Sequence, residues 1–181
     1  MSLANRRVLS FDVESLGLHG LAWAVGWVYF EADGTEIESG IAACSPGDVL
    51  RPIDGPDDLA WVQANCPTLP RSCSNHAEVR AAFWRLLTRL AKDVPLIIAD
   101  CAWPVEARFL SSCVDVDLKE RRWLGPYPLH DVATMRLAAG LDPLATVDRL
   151  PLEEPKHHPT ADARQSGRLW FEAINILKEH K

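Results

Sequence analysis

The 181-residue chain carries 25 acidic against 19 basic side chains, a formal net charge of −6. That is not the basic balance of a protein that grips long duplex DNA electrostatically, although it leaves room for small or single-stranded substrates met through bound cations. Nearly half the residues (48%) are apolar, enough to bury the core of one domain spanning residues 1–181 without disulfide or metal staples, and no apolar run reaches the roughly 20 residues of a membrane helix.

In chain order, residues 6–14 read as a first strand, with Val8, Leu9, Phe11 and Val13 supplying its apolar character. The same tract holds Asp12 and Glu14, two carboxylates at alternate positions and therefore on one face. Two anions there repel each other and are costly to desolvate unless a cation sits between them. The strand either borders water or holds metal. Residues 21–30 form a long apolar strand, Asp33-Gly34 marks a turn, and residues 35–43 alternate as its hairpin partner. A Pro-, Gly- and Asp-rich stretch follows, with a short helix around 57–65.

Asn75 is placed to cap a helix over 77–92 whose Val79, Phe83, Leu86, Leu87 and Leu90 share one face. Residues 95–100 are a short buried strand ending in Asp100. Pro104 opens a helix with Val105, Phe109 and Leu110 on its apolar side. A weaker strand covers 128–131, a helix 132–140 and a loop 141–159, and a final helix starts at Pro159. Three strands followed by alternating helices and strands imply a mixed α/β sheet flanked by helices. Five scattered cysteines without a CxxC pair (Cys44, Cys66, Cys73, Cys101 and Cys113) argue for a reducing, cytoplasmic setting. The opening Met-Ser-Leu-Ala-Asn-Arg-Arg lacks an apolar signal core.

Two further segments bear on the Asp12/Glu14 pair. Glu106 lies in the first turn of the helix that follows a buried strand, and His157 sits in a loop five residues before Asp162, itself in the first turn of the last helix. Together the pattern resembles the DEDDh family of 3′–5′ exonucleases in the ribonuclease H-like superfamily, whose relatives include the proofreading subunit of bacterial replicative polymerase and oligoribonuclease. Asp12-Val13-Glu14-Ser15-Leu16-Gly17-Leu18 looks like its first motif, Asp-x-Glu-x-x-Gly-Leu. His157-x4-Asp162-Ala163 looks like its third. The second motif departs from the pattern: Glu106 stands where relatives carry an aspartate, three residues before Phe109-Leu110. Position favours Glu106 as the fourth carboxylate, and residue type favours Asp100.

The resemblance implies a ribonuclease H-like fold and a two-ion site for Mg²⁺ or Mn²⁺, with Asp12, Glu14, Asp162 and either Glu106 or Asp100 as ligands. His157 would be the general base, a role that suits an imidazole. Ser15, Leu16 and Gly17 would lie against the terminal nucleotide of a single-stranded or short RNA or DNA, releasing nucleoside 5′-monophosphates. Lys156, Arg164 and Arg168 are placed to meet phosphates, and Trp103 is the tryptophan nearest the second motif; Trp84 and Trp170 read as core. A homodimer is compatible with the family, and no membrane association is expected. Two other readings remain: a non-catalytic nucleic-acid-binding module on the same fold, and a ribonuclease H-like endonuclease that needs no free 3′ end.

Overall fold

Strand β1, Val8–Ser15, runs through the centre of a five-stranded sheet ordered β3-β2-β1-β4-β5. It pairs antiparallel with β2 (Ala22–Phe30), and β2 pairs antiparallel with β3 (Glu36–Ala43), closing the hairpin at Asp33-Gly34. On its other side β1 runs parallel to β4 (Leu96–Ala99), and β4 runs parallel to β5 (Leu129–Asp131). This is the mixed α/β sheet expected, three antiparallel strands first and parallel strands after. The computed structural model describes residues 6–179. Residues 1–5, most of the stretch judged for a signal core, lie outside them.

The helices divide between the two faces of the sheet according to its side-chain alternation. Leu9, Phe11 and Val13 pack towards α2 (His76–Leu90) and α3 (Val105–Asp115), where Phe83 lies 5.1 Å from Phe11 and 5.5 Å from Phe109, ring centre to ring centre. Asn75 caps α2 by accepting the Glu78 N–H at 3.1 Å, as its sequence position suggests. On the opposite face Val8, Val28, Phe30, Leu96 and Ile98 pack against α5 (Val132–Ala138) and α6 (Pro159–Glu179), the latter through Ala163, Leu169 and Trp170. The remaining helices are α1 (Pro56–Asn65) and a single turn, α4 (Leu118–Arg121), too short for any periodicity to announce it. The 141–159 loop contains one 3₁₀ turn, Pro151–Glu153.

One glycine sets the distance between sheet and final helix. Gly26 pairs directly with Asp12 across the β1–β2 ladder, and a Cβ built on it would fall 2.1 Å from the Thr160 nitrogen and 2.3 Å from the Pro159 carbonyl carbon. The first turn of α6 therefore rests on bare backbone beside Asp12. Gly26→Ala is expected to cost about 3 kcal/mol, because backbone must move to admit the methyl group, and to lower Tm in thermal denaturation by about 6–12 °C. Gly47→Ala, whose Cβ would meet only Ser45 Oγ at 3.8 Å, should change Tm by about 2 °C or less.

Candidate active site

Asp12 and Glu14 share the β1 face that carries α6, because Val8, two pairs of residues earlier, packs against that helix. Both lie at the carboxyl end of the central strand, where α6 begins. Asp162 is in the first turn of α6, its backbone N–H donating to the His158 carbonyl at 2.9 Å. The seating of α6 on Gly26 thus delivers Asp162 to the β1 pair.

His157 adopts a left-handed backbone conformation (φ 60°), an uncommon one for a side-chain-bearing residue. In that conformation its N–H donates to Asp162 Oδ2 at 3.0 Å. Its ring meets that of Trp61, from α1, edge to face at 5.2 Å. One ring nitrogen of His157 and one carboxylate oxygen each of Glu14 and Asp162 all lie within 4.8 Å of one another.

Glu106 enters from α3. Burial of Phe109 against Phe83 turns the residue three positions earlier on that helix towards the sheet. Glu106 is 6% exposed, and its carboxylate draws stabilisation from the backbone N–H of Val13 on β1. Asp100, just beyond β4, stands on the Asp131 side of the cluster, and Asp131 is occupied in accepting the N–H groups of Ala102 (2.8 Å) and Thr134 (2.6 Å). Of the sequence-derived residues, Glu14, His157 and Asp162 gather within 4.8 Å, and Asp12 and Glu106 lie near enough to repel the carboxylates there, with Asp100 felt by both Asp12 and Glu106.

The electrostatics match that crowding. Burial, followed by repulsion from Asp162, Glu106, Glu14 and Asp100, pushes the Asp12 carboxyl well above the ordinary range. Burial and Asp162 push Glu14 up to about 8. Burial pushes Glu106 up to about 7 against the pull of its own backbone N–H and that of Val13, and Asp162 is also raised by burial although Arg149 opposes it. Carboxylates in this state want a cation.

Several neighbours were not evident from sequence. Arg149, from the 141–159 loop, is ion-paired with Asp162 Oδ1. Cys66 Sγ, at the end of α1, sits 3.7 Å from Glu14 Oε2, and burial pushes that thiol up to about 12. Trp61 also belongs to α1. None of the three lies in a motif, and all are delivered by long-range packing. Arg164 and Arg168, expected at phosphates, are engaged elsewhere. Arg164 Nε holds Glu36 at 2.8 Å and Arg168 Nε holds the buried Glu153 at 2.6 Å. Lys156 is exposed beside His157.

Of the residues expected at the substrate, Leu16 is 1% exposed and belongs to the core, so its side chain is not offered to a ligand. Ser15 Oγ donates to the Gly17 carbonyl at 2.7 Å and helps hold the turn, in which Gly17 has a φ of 65°. A cleft of about 440 Å³ opens beside this turn, lined by Gly17, Leu18, His19, Arg51 and Arg108 among others. Trp103 is 73% exposed; Trp170 is buried, as expected, whereas Trp84 is partly buried, with the Arg121 guanidinium 4.7 Å above its ring.

No protein-family model and no curated protein sequence matches the chain. Solved structures do. Exonuclease I of E. coli in its zinc-bound complex with single-stranded DNA superposes with a TM-score of 0.63 at 17% identity, over 98% of this chain and 41% of that one. A second structure of exonuclease I gives a TM-score of 0.65 at 15% identity, over 97% and 44% of the two chains. Exonuclease I from the moderately thermophilic Methylocaldum szegediense gives 0.62 at 17% identity, over 97% and 41%. This chain thus spans about two fifths of the length of these enzymes and shares their ribonuclease H-like fold.

Proposed function

We propose that the chain is a metal-dependent 3′–5′ exonuclease of the DEDDh type, hydrolysing phosphodiester bonds of single-stranded or short DNA or RNA to nucleoside 5′-monophosphates. The observation that supports this reading is the grouping of Glu14, Asp162 and His157 within 4.8 Å at the carboxyl end of β1, with Asp12 and Glu106 close enough to repel those carboxylates. The fold shared with exonuclease I, which has been seen with single-stranded DNA in zinc-bound and metal-free forms, supports single-stranded DNA as the first substrate to offer.

The donor set fits hard divalent ions. Four carboxylates and at most one imidazole favour Mg²⁺ or Mn²⁺, and the crowding that raises their pKa values is relieved by positive charge. Asp12, Glu14, Asp162 and Glu106 would hold two such ions, with Asp100 the alternative to Glu106. Bound there, the ions would supply the charge that makes water acidic and steadies the leaving oxygen.

The chain's own residues do the rest. His157 takes the proton of the attacking water at a ring nitrogen, its ring steadied by Trp61 and its backbone tied to Asp162. The cleft beside Ser15, Leu16 and Gly17 receives the terminal nucleotide, with Arg108 at its rim; Arg51, also there, is already paired with Asp54. Localisation in a reducing cytoplasm fits the free state of all five cysteines, and no helix among the described residues is long and apolar enough to cross a membrane. Partnership with a second copy of the chain belongs to the same reading.

The test is stepwise shortening of a 5′-labelled single-stranded oligonucleotide in Mn²⁺ or Mg²⁺. His157→Ala is expected to slow shortening by about 10²–10⁴-fold, the usual worth of a positioned general base, while leaving Mn²⁺ binding measurable by calorimetry. Cleavage that persists when the 3′ end is blocked would point instead to an endonuclease. Absence of both cleavage and Mn²⁺ binding would leave the non-catalytic module.

A further inference from the structure

Arg149 is a permanent cation built into a cluster of anions. Its side chain is 11% exposed and that of its partner Asp162 is 18% exposed. The guanidinium is clamped on three sides: it is ion-paired with Asp162 Oδ1, Nε donates to the Glu153 carbonyl at 2.6 Å, and Nη1 donates to Gln165 Oε1 at 3.1 Å. Glu153 is itself fixed on α6 by Arg168, so the loop carrying Arg149 is anchored independently of the cluster. Among the described residues, Arg149 is the only lysine or arginine ion-paired with any of Asp12, Glu14, Glu106 and Asp162. A guanidinium does not deprotonate in a protein.

We propose that Arg149 is an internal counterion of the site. It supplies positive charge to the carboxylates in the ion-free chain and yields Asp162 Oδ1 to a divalent ion on binding, and so sets the metal concentration at which the site loads. The proposal rests on reading Asp162 as a metal ligand. The competing role, an arginine that merely orients Asp162, is disfavoured because orientation has other sources. Asp162 Oδ2 accepts the His157 N–H, and its backbone lies in the first turn of a 21-residue helix seated against Gly26. The two roles predict opposite signs. A counterion competes with metal, so its removal tightens binding. An orienting residue prepares the ligand, so its removal weakens binding.

The experiment is calorimetric titration of the full chain with Mn²⁺ for wild type, Arg149→Met and Arg149→Lys, with thermal unfolding in EDTA alongside. Arg149→Met is expected to bind Mn²⁺ about tenfold more tightly, since a charge-assisted hydrogen bond no longer has to be broken, and to melt below wild type in EDTA, the gap narrowing at saturating Mn²⁺. Arg149→Lys, which keeps the charge without the fork, should show a smaller gain. Equal or weaker Mn²⁺ affinity in Arg149→Met, with wild type binding normally, overturns the proposal and leaves the metal reading intact. No binding by wild type or variant overturns both. Should Arg149→Met not fold, the Nη2–H NMR signal of wild-type Arg149, the group paired with Asp162 Oδ1, assigned by its loss in Arg149→Lys, gives the answer during titration with Mg²⁺. It is expected to shift as Asp162 is released, and a signal unmoved at saturation overturns the proposal.

Discussion

Asp12→Asn is expected to reduce oligonucleotide shortening by at least about 10³-fold, equivalent to about 4 kcal/mol of transition-state stabilisation, while leaving the chain folded. Asp12 is the centre of the cluster in the electrostatic sense: its carboxyl feels Asp162, Glu106, Glu14 and Asp100 together. Any ion placed to relieve that crowding must contact or closely approach it, so no neighbour can take over its role. The amide is nearly isosteric and removes a repelled charge from a strand otherwise made of core residues, so folding should not suffer. The ion-free variant should melt at or above wild type at pH 8. Activity assays and thermal denaturation on one preparation check both halves. Full activity in Asp12→Asn would remove Asp12 from the chemistry, whereas lost activity with a lowered Tm would reduce the result to misfolding.

The parts of this site that could be read before any coordinates were those encoded by local rules. Strand alternation puts Asp12 and Glu14 on one face and Pro159 marks the start of the helix that bears Asp162, whereas Glu106 comes only from the motif resemblance, which leaves Asp100 open beside it. The residues that sequence could not supply come from segments without periodicity. Arg149 belongs to a loop whose path is decided by the Glu153–Arg168 pair, and Trp61 and Cys66 by the docking of a ten-residue helix over the end of the sheet. The same distinction explains why Arg164 and Arg168 looked available for phosphate. Their charges are evident in the sequence, but their partners Glu36 and Glu153 are brought in from a distant hairpin and from the loop.

A second large effect follows from the crowding itself: in EDTA the chain should lose stability as pH rises from about 6.5 to about 8. Glu14 is raised from its ordinary 4.5 to about 8 and Glu106 to about 7. Between those limits the folded chain keeps protons that the unfolded chain has released. A state that binds more protons is favoured at low pH, so this contribution is full below the ordinary carboxylate range and is lost as pH climbs through 7 and 8. The carboxylates held low by their partners, Glu36 by Arg164 and Asp54 by Arg51, act in the other direction and only at more acid pH. His76 and His130, whose pKa values burial lowers, also act in the other direction as pH rises to about 6.5, so the carboxylate loss is read above that pH. The loss towards pH 8 is on the order of a few kcal/mol, which for a chain of this size is about 10 °C in Tm. Mg²⁺ should restore most of it at pH 8 and little at pH 5.5, because only ionised ligands attract the ion. Glu14→Gln should flatten the EDTA profile, raise Tm at pH 8 and shrink the response to Mg²⁺. A Tm in EDTA that is constant or rising from about pH 6.5 to 8 would mean that these carboxylates do not share one pocket, and the metal reading of the site would fall with it.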